Sequence, residues 1–219
     1  MHRPLYFSME LMYNRVCIKH KGRESNMKQG LKKAAIAGIA GEILYFISMA
    51  LFLITQTGAA LTFWELMTIA GAVIMLIVLT VIADDRKIQQ IHHKLMTIAL
   101  SGTVFLTSIA HFTSIGVVRK LESQGISVPD YFKIGTSPSI EMTVDYVAWG
   151  FFMGLAFIAL FLGIKDKAMK IISAACGILC LCGFIGSFIS DSLWYIAPMG
   201  YGIGFLVMCI FVLRSAKTH

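Results

Sequence analysis

The chain predicts an all-α fold: a polytopic membrane protein, a bundle of six transmembrane helices with both termini cytoplasmic. Three observations predict it. Apolar residues gather in six long runs, and a run of about 20 is what a helix needs to cross roughly 30 Å of hydrocarbon. Charged residues make up 14% and hydrophobic ones 57%, with a mean hydropathy of +0.76; a soluble domain carries about a quarter charged residues. Lysine and arginine collect on alternate connections, the asymmetry that places the basic ends of membrane helices inside.

Residues 1–33 form a basic segment ahead of the first run. They lack the continuous apolar stretch and small-residue cleavage site of a signal peptide. Leu5, Met9, Met12, Tyr13 and Val16 repeat at helical spacing, which suits a short amphipathic helix on the cytoplasmic leaflet. A second reading competes with it. The stretch KGRESNM (Lys21 to Met27) is what a purine-rich ribosome-binding site would encode when translated, which would make Met27 the native start. A natively expressed peptide containing Tyr6, found by mass spectrometry, would end that second reading.

The membrane domain spans 34–214, with apolar runs at 34–56, 63–83, 95–118, 144–164, 168–190 and 193–213, and a cytoplasmic tail at 215–219. None alternates with the period of two that a β-barrel strand shows. With both termini in the cytoplasm, sixteen Lys and Arg side chains fall inside and three, Arg119, Lys120 and Lys133, outside. Starting at Met27 leaves eleven inside against the same three. Trp64 and the Trp194–Tyr195 pair fall at outer boundaries, where aromatic belts form. The longest connection, 119–143, is outside; Ser137 and Pro138 read as the cap and first residue of the fourth helix, with Glu141 in its first turn.

The net charge of +7 does not point to nucleic acid. Its basic residues lie between apolar runs and form no stripe with interleaved aromatics. The lipid bilayer is the expected partner, its anionic surface the counter-charge. Of five cysteines, Cys176, Cys180, Cys182 and Cys209 lie within apolar runs and Cys17 does not; their spacing is neither that of a disulfide framework nor of a zinc or redox site.

Ionisable groups inside a span are costly, about 2.5 to 3.5 kcal/mol near the centre for Asp, Lys or Arg, so they should face the bundle interior. Glu42 is the deepest acid, on a helix whose Ala34–Gly38 and Ala37–Gly41 pairs permit close approach of a neighbour. It reads as a proton or cation site, or as a protonated carboxyl bonded to the next helix. His111 shares a polar face with Thr103, Thr107 and Ser114 on an otherwise apolar third helix. Asp145 lies one turn from Glu141 and one from Trp149, and Asp191 closes the fifth helix. The expected ligand-binding set is His111, Asp145, Trp149, Asp191, Thr107 and Glu42, around a pocket opening outward. Depth weighs against it, because Asp145 and Asp191 read as interfacial while His111 lies level with Trp149. His92 and His93 read as part of a solvated turn.

Three function classes fit. One is a protein that binds or transports a small molecule or ion through that pocket. A membrane-embedded metal-dependent hydrolase is the second, although no catalytic residue can be assigned, His111 is the lone embedded histidine, and G-x-S-x-G and H-E-x-x-H are missing. The third is a non-catalytic assembly subunit, joined to a membrane partner or a second copy through the small-residue seam of the first helix. The sequence specifies no cofactor and no metal site.

Overall fold

The computed structural model describes residues 5–215, with side chains described from Lys28 onward except that of Asp191. Six helices long and apolar enough to cross a membrane are found among the described residues. They are α1 (Leu5–Thr55, spanning over Lys28–Thr55), α2 (Gly58–Asp85), α3 (Gln90–Ser123), α4 (Ile140–Gly163), α5 (Lys167–Ser187) and α6 (Ser192–Ser215). The protein is a polytopic, multi-pass membrane protein. The backbone of α1 is helical from Leu5 onward without a break, and the apolar face expected at Leu5 to Val16 lies among side chains outside the described residues.

Each helix packs against its neighbours in sequence, and α6 closes the ring on α1. The small residues of α1 explain that closure. A Cβ on Gly38 would sit 2.6 Å from Cys209 Sγ of α6, and one on Gly41 2.9 Å from Ile74 of α2. The seam expected to receive a partner thus packs on the chain's own helices, except at Ala37, which is exposed. The outer face of α1, with Ile36, Ile43, Leu44 and Ile47, is exposed and apolar, as a lipid-facing surface should be.

One end of the bundle carries the short α2–α3 and α4–α5 turns and most of the lysines and arginines; we call it the basic end. The other carries the long α3–α4 connection. Toward the basic end the interior is apolar, with Leu79, Met96, Leu100, Phe157, Leu160 and Met208 all fully buried. Three of the helices contain a π-helical segment nearer the long-loop end: Ser114–Val118 in α3, Val147–Phe152 in α4 and Met199–Gly204 in α6. Such insertions re-aim side chains and concentrate at functional sites.

Several boundaries differ from the sequence expectation. Helix α3 runs to Ser123, so Arg119 and Lys120 belong to it and not to the loop. Helix α4 starts at Ile140, capped by Ser139, whose hydroxyl accepts from Met142 N at 3.3 Å; Ser137 and Pro138 precede the cap. Helix α5 ends at Ser187, and Asp191 opens the short 3-10 turn, Asp191–Tyr195, that leads into α6. Trp194 is not an interfacial anchor: it is buried and stacked on Tyr146 at 4.3 Å, while Tyr195 beside it is 72% exposed. Within the connection, the Lys133 ammonium reaches Asp130 and Glu122, each at 3.1 Å, and both hold it above the usual lysine range.

Candidate functional site

Toward the long-loop end the bundle interior is charged. Glu65, seven residues into α2, is 0% exposed, and its carboxylate is paired with the Arg119 guanidinium of α3. Arg119 also donates to the Thr62 hydroxyl and, at 3.3 Å, to the Gly58 carbonyl at the start of α2. The π-helical segment of α3 lies between His111 and Arg119, and both side chains turn toward the same acid. His111 Nδ1 is 3.9 Å from Glu65 Oε1, and its Nε2 is 3.5 Å from Asp145 Oδ1 of α4. Both distances fit charge pairing and are long for hydrogen bonds.

Glu141, one turn before Asp145, is buried and lies within electrostatic reach of His111 and Arg119. It is in the first turn of α4, as expected, and it is also part of the cluster. Three carboxyl groups therefore face one permanent cation, Arg119, and one titratable one, His111. Away from water, where an unpaired charge costs several kcal/mol, that set is short of positive charge unless it holds protons or a bound cation.

Asp145 and His111 meet although the sequence read them at different levels: Asp145 lies five residues into α4, about 7 Å at 1.5 Å per residue, and its Oδ1 is 3.5 Å from His111 Nε2. The polar face of α3 is buried as expected, with Thr103, Thr107, His111 and Ser114 all in the interior. Thr103 bridges to α4 by donating to the Ala148 carbonyl at 3.1 Å, whereas the Thr107 hydroxyl, 0% exposed, has no hydrogen-bond partner.

Trp149 is buried one turn below Asp145, its ring 4.7 Å from that of Tyr201, and its indole N–H is unpartnered. Glu42 is also buried, with Oε2 unpartnered, 3.9 Å from where a Cβ on Gly202 of α6 would stand. It is not among the paired groups of the cluster and lines a small cavity with Trp149 and Tyr201. The side chain of Asp191 lies outside the described residues. His111, at 4% exposure, and Glu65 are closed to solvent, so the outward opening expected beside His111 is shut in this conformation.

Sequence reasoning missed Glu65 and Arg119. Glu65 follows Trp64 near the start of a span, and Arg119 falls just past the end of one, in the expected outer connection. The available signal was their pairing: one acid and one base on antiparallel neighbours, both near the same membrane face.

At the basic end, His93 Nε2 is 3.0 Å from Asp84 Oδ1 and His92 Nδ1 is buried without a partner. The two histidines lie in the first turn of α3 and are not a free loop. Cys176, Cys180 and Cys209 are buried free thiols, with Cys176 and Cys180 filling the space left by Gly204 and Gly200. Among the described residues no three His, Cys, Asp or Glu side chains converge as metal ligands. The chain matches no protein-family model, no curated protein and no solved structure.

Proposed function

We propose that the protein binds or transports a small cation, a proton included, at the cluster of Glu65, His111, Arg119, Glu141 and Asp145. The observation that carries this is the charge imbalance: two buried carboxyl groups, Glu65 and Glu141, and a partly buried third, Asp145, against one permanent cation. A purely structural network in a membrane would be expected to balance its charges, since a surplus costs stability. Thr107 and Trp149 add an unpartnered hydroxyl and an unpartnered N–H on the same side, the polar equipment that fixes a small ligand's orientation.

The lysine and arginine asymmetry supports placing both termini in the cytoplasm, and the cluster then lies toward the exterior. The hydrolase reading has no convergent ligand set to build on among the described residues. The assembly reading loses part of its contact surface, because Gly38 and Gly41 are already packed.

The test is a thermal-stability screen of the detergent-purified protein against sodium, potassium, divalent cations, small organic amines and pH. A ligand that binds the folded state raises Tm by mass action. At least one cation or pH step should shift wild-type Tm, and Asp145→Asn should abolish the shift. Identical responses of wild type and Asp145→Asn across the whole panel would refute the proposal.

A further inference from the structure

Glu42 is not among the paired groups of the cluster and has surroundings of its own. A cavity of about 10 Å³ is lined by Glu42, Tyr45, Thr68, Met75, Trp149 and Tyr201. That is room for roughly one water, which needs two or more polar partners to settle there. The walls supply them: Glu42 Oε2 is a buried acceptor without a partner and Trp149 Nε1 a buried donor without one. A single water donating to the first and accepting from the second would satisfy both.

The groups facing Glu42 come from each helix packed on it. Tyr45 is on its own helix, Trp149 comes from α4, Tyr201 and Cys209 from α6, and α2 offers the hydroxyl of Thr68. None of these is a cation, so protonation removes a charge that would otherwise stand in hydrocarbon without a counter-ion. The cavity borders the cluster through Trp149, which is in its wall and one turn from Asp145. Glu141, Asp145 and Trp149 follow one another down α4, and Tyr201 lies within electrostatic reach of both Asp145 and Glu42.

We propose that Glu42 is a second proton-binding site, set beside the charged cluster, and that it shares one water with the Trp149 indole. This rests on the cation-binding reading of the cluster and narrows its ligand to the proton. In the transfer, the O–H bond of a protonated Asp145 breaks and one forms at Glu42 Oε2. The Tyr201 hydroxyl and the water each receive one proton and give one up, ending as they began. Asp145 is left as a carboxylate beside His111, able to be protonated again from the long-loop end.

Infrared difference spectroscopy on the full chain in nanodiscs, between acidic and alkaline buffer, reads carboxyl protonation directly. Among the carboxyl bands of wild type, one should belong to Glu42 and another to Asp145. Glu42→Gln should remove one and Asp145→Asn the other, and Trp149→Phe should displace the Glu42 band alone. Should Glu42→Gln fail to fold, Glu42→Asp must move the same band. A wild-type spectrum retained in the Glu42 variant overturns the second site while leaving the cluster intact. Absence of any band sensitive to Asp145→Asn overturns the transfer and the proton as the cluster's ligand, while binding of another cation there is decided by the thermal-stability screen.

Discussion

Toward the basic end, the helices meet on Leu79, Met96, Leu100, Phe157, Leu160 and Met208, every one fully buried. Toward the long-loop end, helices of the same bundle meet on Glu65, His111, Arg119, Glu141 and Asp145. The first interior is held by volume, the second by charge. In the apolar half each contact is individually weak and the sum depends on filling space. In the charged half a few pairs must be satisfied together, and leaving one member alone is costly. The π-helical segments lie in or near the charged half, so the regular helix is given up where side chains must be aimed and kept where they must only pack.

The contrast can be broken by substitution. The largest effect is expected at Arg119. Arg119→Met leaves Glu65 buried with no permanent cation and should cost about 3–5 kcal/mol, read as a fall in detergent Tm. Adding Glu65→Leu should recover much of that loss, because the orphaned charge is then gone. In the apolar half, Leu100→Ala should cost roughly 2–5 kcal/mol through lost burial and a residual cavity, and no second-site charge change should rescue it. If an Arg119→Met/Glu65→Leu double variant were no more stable than Arg119→Met, the charge account of that half would be wrong. The smallest effect is expected at Thr107→Val. That change removes a buried hydroxyl without a partner at nearly constant shape, so stability should stay within about 1 kcal/mol of wild type or rise.

The fold was legible because crossing a bilayer imposes length and composition on every helix, and all six runs met both. The inward face of α3 was legible for a similar reason: Thr103, Thr107, His111 and Ser114 repeat at helical spacing against an apolar background. Glu65 and Arg119 were hidden because a single charge near a span's end looks the same whether it meets water or a partner. What decides is helix α3 continuing through its π-helical segment to Ser123, which carries Arg119 back to the start of α2. The meeting of Asp145 with His111 was not legible, because spacing along one helix does not say which level of the next helix it faces. Trp194 was misplaced because an aromatic at a span's end reads as an anchor, and here its ring is covered by Tyr146.

The central claim is that the charged half takes up a cation from the long-loop side. Charge-displacement recording on a solid-supported membrane, with protein-loaded liposomes exposed to a rapid pH or cation step, tests it most directly. Binding within the membrane should move charge and give a transient current in wild type, and a His111→Gln/Asp145→Asn variant of equal abundance should be silent. A transient of the same size in both, or none in wild type under any step, would contradict the account.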